Sequence, residues 1–170
     1  VGLLGRWDAT NVSNAQVAVV TNIAVDHTEY AGPTKRHIAI EKSGIVKPGS
    51  AVVIGETEPA LAQVFVDAGG ASSLQRGEHF DVLENQLALG GRLVDLRTPT
   101  TVYTDVFVPL HGRHQGDNAV VALTAVEAFF ASPVPGDLVT EGFAQVVMPG
   151  RFEAMGHQPL VIIDGAHNPA

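Results

Sequence analysis

The sequence contains no cysteine, which excludes disulfide cross-links and thiolate chemistry and suits a cytoplasmic protein. It is also short of positive charge: 10 Lys and Arg stand against 18 Asp and Glu, for a net charge of −8. That sign opposes the phosphate attraction behind non-specific nucleic-acid binding, so neither DNA nor RNA is an expected partner. No apolar run approaches the roughly 18 residues needed to span a bilayer. The opening VGLLGRWDAT lacks the basic start and apolar stretch of a secretory signal, and no membrane partner is expected. Repeats and low-complexity tracts are missing. So are GxxxxGK[ST] and GxGxxG, and nothing in these residues by itself cradles a triphosphate.

What is present is the composition of a globular protein. Of 170 residues, 45% are apolar and 16% charged, enough for one real core that buries roughly 70% of the unfolded surface. The chain opens on Val1 without an initiator Met and stops at DGAHNPA, directly after a strand-like run. The expectation is a piece of a longer protein.

Val17–Val20 is a continuous apolar run of mostly β-branched residues, the pattern of a parallel strand buried on both faces. Gly32-Pro33 is the expected start of a helix that runs to Ser43 and ends at Gly44. Lys47-Pro48-Gly49 reads as a turn, Ala51–Gly55 as a second buried strand and Pro59–Ala68 as a helix. Strand, helix, strand, helix is the rhythm of an α/β sheet. From Phe80 to Val108 the pieces FDVLEN, QLALGG, RLVDLRT and TTVYTDVFV read as short antiparallel strands. A helix is expected over Asn118–Phe130, with Asp117 and Asn118 as candidate N-caps and its end before Pro133. A short helix over Asp137–Ala144 and a final buried strand over Leu160–Ile163 complete the reading.

Open α/β sheets gather ligand groups at the carboxyl ends of their strands. Two polar clusters fall there: Asp26-His27, and Asp164-Gly-Ala-His167-Asn168 after the last strand. Capping and turn formation explain such residues equally well. Lys42 lies four positions after Ile38 on a face with apolar surface, where a lysine usually extends its ammonium to water. Asn118 at a helix start is an N-cap by default. His111 and His114 have HxxH spacing, a weak zinc signal without a third ligand. These patterns by themselves support a soluble α/β domain that binds a small molecule.

Six segments in order carry a more specific message: VGLLGRWDATN at Val1, TNIAVDH at Thr21, EKSGIVKPG at Glu41, HGRHQGDNA at His111, PGRFE at Pro149 and DGAHNP at Asp164. The series resembles the folylpolyglutamate synthase and dihydrofolate synthase group of the Mur ligase superfamily. The resemblance implies an α/β fold: a Mur-ligase-like central ATPase domain with a mostly parallel sheet flanked by helices and a small antiparallel subsheet. Residues 1–156 would be part of that domain, and 157–170 would begin a Rossmann-like, glutamate-ligating C-terminal domain with its first strand. It also implies a reaction using ATP and Mg2+ in which a carboxylate of folate, or of dihydropteroate, is phosphorylated and then attacked by the amino group of L-glutamate. A monomer is expected.

Carried over by motif position, His27 would be a catalytic group and magnesium ligand, although Mg2+ prefers oxygen. Lys42 would be carbamylated, turning a cation into a carboxylate-like anion that holds a second magnesium. Asn118 and Arg151 match nucleotide contacts, Arg151 by its phosphate-matching fork. Asp164 and His167 would lie by ATP, and Trp7, Asp8 and Ala9 would line the pterin side. Leu4 stands where the group has Gly, which restricts the backbone there. The group's phosphate loop and a magnesium-binding Glu would lie before Val1. The competing readings are a Mur-type ligase acting on a peptidoglycan precursor and a fragment without catalytic activity.

Overall fold

A computed structural model describes residues 5–25 and 32–165. Its centre is a three-stranded parallel sheet of β1 (Val17–Val20), β2 (Ala51–Ile54) and β3 (Ser72–Gln75), in that spatial order. The helices α1 (Lys35–Ser43) and α2 (Pro59–Asp67) make the two crossovers. Because successive strand side chains point to opposite faces, β2 feeds two cores. Val52 and Ile54 pack with Ile38, Ala39, Leu61 and Phe65 of α1 and α2. Val53 packs on the other face with residues of α3 (His114–Phe130) and of an antiparallel sheet. All three β2 side chains are essentially inaccessible, as the unbroken apolar run requires.

The antiparallel sheet has the order β4 (Asp81–Ala88), β5 (Gly91–Arg97), β6 (Val102–Val108). FDVLEN and QLALGG are thus not separate strands: DVLEN of the first and QLA of the second run on as β4, which turns through Leu89-Gly90 into β5. Val94, Leu96, Tyr103, Val106 and Val108 face inward against Val120 and Leu123 of α3. α4 (Gly136–Ala144) contributes Val139 to the same core.

Three local expectations change. The first helix begins at Lys35, because Thr34 is its N-cap and accepts the His37 N–H at 3.4 Å. α3 begins at His114, so Asp117 and Asn118 sit inside its first turns and neither is an N-cap. The segment Leu160–Ile163 is a strand, β8, but not a buried one: among the described residues it pairs only with β7 (Glu153–His157), and its four residues are 41–62% exposed. A two-stranded ribbon with no layer packed on it, among the described residues, leaves both faces open. Strand β3 has no apolar period to announce it; its SSLQ residues are recruited by the hydrogen-bonding edge of β2. Among the described residues no helix is long and apolar enough to cross a membrane.

Candidate active site

The carboxyl ends of β1, β2 and β3 open into a cleft of about 160 Å³. Thr21 and Asn22 line it after β1, Gly55 after β2, Arg76 after β3, and His114, Asp117, Asn118 and Val121 from the start of α3. Its floor depends on Gly55. A Cβ there would lie 2.5 Å from the Thr21 carbonyl oxygen and 2.9 Å from Val121 Cγ2, so only glycine lets the two strands and the helix meet. Buried Glu56 fixes the loop after β1: its carboxylate accepts the Ile23 N–H at 2.7 Å and the Glu58 N–H at 2.8 Å. Both oxygens are therefore satisfied by backbone, as a buried carboxylate requires.

The first turns of α3 are held in two places. The Asn85 amide donates to the Arg113 carbonyl at 2.9 Å, and Arg92 holds Asn85 in turn, donating to its side-chain and backbone oxygens at 2.8 and 2.7 Å. Arg76 pairs with Asp81 at 3.1 Å and with Asp117 at 2.8 Å. Asn118 projects beside them, its amide donating to Gln115 Oε1 at 3.2 Å. A side-chain amide offers both donors and an acceptor, and the first turn of a helix favours negative charge through its free N–H groups.

A second neighbourhood surrounds Lys42, half-buried in the last turn of α1. The short 3-10 turn Gly5–Trp7 packs directly on it. A Cβ on Gly5 would fall 2.8 Å from Lys42 Cα, and one on Gly44 would fall 2.8 Å from the Arg6 nitrogen. Lys47 adds a hydrogen bond to the Asn11 carbonyl at 3.3 Å, and the Asn11 amide donates to the Arg6 carbonyl at 2.9 Å. The segments GRWDATN and EKSGIVK thus form one body that carries Trp7, Asp8, Ala9 and Lys42. Trp7 is 80% exposed, a large apolar surface with no partner from the core.

A third neighbourhood joins the PGRFE and DG segments. The Gly165 N–H donates to the Gly150 carbonyl at 2.7 Å, Gly150 N–H donates to Glu153 at 2.7 Å, and Arg151 Nη1 lies 2.9 Å from where a Gly165 Cβ would be. Arg151 and the Asp164-Gly165 loop are therefore neighbours. The His111 ring meets Phe152 edge-on at 5.3 Å, tying this group to the segment that enters α3.

His27 and His167 lie outside the described residues. Among the described residues no three His, Cys, Asp or Glu side chains converge to hold a metal; His111 packs on Phe152, and His114 faces the cleft. Sequence reasoning missed Arg76, Glu56 and the packing role of Gly55. Arg76 follows a strand with no apolar signature, and the other two show their function only when distant segments meet.

No family model matches the chain. The dihydrofolate synthase/folylpolyglutamate synthase of Mycobacterium tuberculosis is 45% identical over 183 residues, which take in all of this chain and 38% of the relative. The protein of the same name from Escherichia coli is 37% identical over 175 residues, covering 99% of this chain and 38% of its own length. Among solved structures, Mycobacterium tuberculosis folylpolyglutamate synthase complexed with ADP superimposes with a TM-score of 0.91 at 46% identity, over 99% of this chain and 39% of that one. A folylpolyglutamate synthase complex with AMPPCP and folate gives 0.89 at 30% identity, over 99% of this chain and 43% of that one. The chain spans about two fifths of the length of these relatives. Matched from end to end in both sequence and fold, it belongs to the folylpolyglutamate synthase and dihydrofolate synthase family, as a segment of such a synthase.

Proposed function

We propose that this chain forms part of an ATP-dependent ligase that joins L-glutamate to folate, or to dihydropteroate, through an acyl phosphate. The observation that carries the reading is the cleft at the carboxyl ends of the parallel strands, in a chain that aligns along its whole length with synthases solved with ADP, AMPPCP and folate. In the proposed reaction the folate carboxylate takes the γ-phosphoryl group. The glutamate amine then attacks the acyl carbon and phosphate leaves.

The chain's own residues bind and orient. Asn118 offers its amide to the edge of the nucleotide base, on a helix start that also favours phosphate. Arg151, beside the Asp164-Gly165 loop, supplies a planar cation for phosphate oxygens, with Asp164 and His167 by the nucleotide. Trp7, Asp8 and Ala9 face the pterin, with the Trp7 ring as a stacking surface. Residues 1–156 are proposed as part of the ATP-binding domain and 157–170 as the start of the glutamate-ligating domain; the β7–β8 ribbon straddles that boundary. A cytoplasmic monomer belongs to the same proposal.

Mg2+ would neutralise phosphate oxygens when bound. The described residues do not by themselves make a site for it; the ligands proposed are His27 and Lys42, the latter as a carbamate.

The deciding assay uses the full-length gene product with ATP, Mg2+, labelled glutamate, and tetrahydrofolate or dihydropteroate in turn. Folate-dependent glutamate incorporation with ADP release is expected. Incorporation into a peptidoglycan precursor instead would assign the chain to a different Mur-type ligase. The 170-residue chain alone is expected to show no turnover, because it contains no triphosphate-binding loop motif.

A further inference from the structure

We propose that Arg76 is a positioning residue for the nucleotide: held between Asp81 and Asp117, it locks the first turns of α3 against the parallel sheet so that Asn118 faces the cleft. The inference rests on the nucleotide reading of that cleft. Its basis is geometric. The Arg76 backbone N–H donates to the Ile54 carbonyl at 2.9 Å, so the residue is anchored at the carboxyl edge of the sheet. Its Nε reaches Asp81 at 3.1 Å and its terminal nitrogen reaches Asp117 at 2.8 Å. Asp81 is itself set, because its Oδ1 also accepts the Val82 N–H at 2.9 Å. One guanidinium thus joins the parallel sheet, the antiparallel sheet and α3 at the mouth of the cleft.

Residue type matters. The fixed fork of guanidinium serves two carboxylates in different directions at once, whereas an ammonium is a point charge on a flexible stem. The side chain of Arg76 is 21% exposed and that of Asp117 36%, so the pair is only partly screened by water. Arg76 also offsets the charge of Asp81 and Asp117, which would otherwise repel a polyphosphate. If offsetting charge were its whole role, removing Asp117's charge together with Arg76 would restore binding. A positioning role makes the opposite prediction: breaking the tie from either side, or both, has the same result.

The experiment measures the dissociation constants of Mg-AMPPCP and of Mg-GTP by calorimetry for the full-length gene product and its Arg76→Met, Asp117→Asn and double variants. Each single variant is expected to weaken AMPPCP binding about fivefold or more, within the usual range of coupled ion pairs. The double variant should be no weaker than the worse single, and the preference for the adenine over the guanine nucleotide should shrink in all three. Arg76→Lys, which keeps the charge and loses the fork, should bind with intermediate affinity and covers the case in which Arg76→Met does not fold. Wild-type affinity in folded Arg76→Met or Arg76→Lys, recovery in the double variant, or an unchanged base preference would overturn the proposal. Binding is read without any acceptor substrate, so failure to ligate glutamate to folate would count against the proposed reaction and not against this role.

Discussion

The Tyr103 hydroxyl of β6 donates to Glu127 Oε1 of α3 at 2.6 Å, with the Val134 carbonyl at 2.8 Å as a second acceptor. Glu127 is 5% exposed, and its carboxylate also receives the Thr100 hydroxyl at 3.0 Å and the Val134 N–H at 3.4 Å. This buried carboxylate clips the antiparallel sheet to the far end of the helix whose first turns face the cleft. Tyr103→Phe should therefore destabilise the fold by about 1.5–3 kcal/mol, the range for a hydrogen bond to a charged group. Chemical denaturation at neutral pH measures it, and a change near zero would show that water replaces the hydroxyl.

The same pair sets an alkaline limit. Burial, with the Glu127 hydrogen bond and charge adding to it, raises the Tyr103 pKa from 10 to about 12. The folded state thus holds this proton more tightly than the unfolded state does. The stability it contributes is whole below pH 10 and is lost as pH rises toward 12. Unfolding free energy followed across that window should fall less steeply in Tyr103→Phe than in the parent; equal slopes would contradict the assignment.

Gly44→Ala tests the seam between the GRWDATN and EKSGIVK segments. Its Cβ would meet the Arg6 nitrogen at 2.8 Å and the Arg6 Cα at 3.0 Å, backbone atoms that cannot swing aside. The expected cost is about 1–3 kcal/mol, as for other overpacked sites. In the full-length gene product, KM for the folate substrate should rise more than KM for ATP, because the displaced turn carries Trp7 and Asp8. Equal changes in both would detach this seam from the pterin side.

Lys42→Ala tests the carbamate. An ammonium near metal-bound phosphates would repel the cations that an anion would attract. The variant should lose on the order of 100-fold or more in turnover, keep its thermal stability, and regain part of its activity with a short carboxylic acid in solution. Wild-type turnover would reduce Lys42 to a structural residue.

Arg151→Ala should leave stability within about 0.5 kcal/mol, since the residue is exposed and surface substitutions are usually mild. kcat/KM for ATP should fall roughly 10-fold to 100-fold, the equivalent of one charged hydrogen bond. A folded variant with unchanged ATP kinetics would mark Arg151 as a linker residue.

The elements legible in the sequence are those whose own side chains carry the instruction. Val17–Val20 and Ala51–Ile54 are unbroken β-branched or apolar runs, and Pro59 at the start of α2 presets a helical backbone angle. The six family-like segments were equally local. Tertiary structure decided what needed a distant partner. Ser72–Gln75 became a strand because the β2 edge offered hydrogen bonds, and α3 gained its HQGD turn because Asn85 and Arg76 hold it. Among the described residues Leu160–Ile163 pairs only with β7, and so its side chains stay exposed. Glu56 holds a backbone N–H 33 residues away, and Asn85 a carbonyl 28 residues away. Side-chain periodicity tells a residue which face it occupies, and that much is written locally. Which groups meet across that face is set by how the layers stack, and so the cleft, with Arg76 at its mouth, exists only in the folded chain.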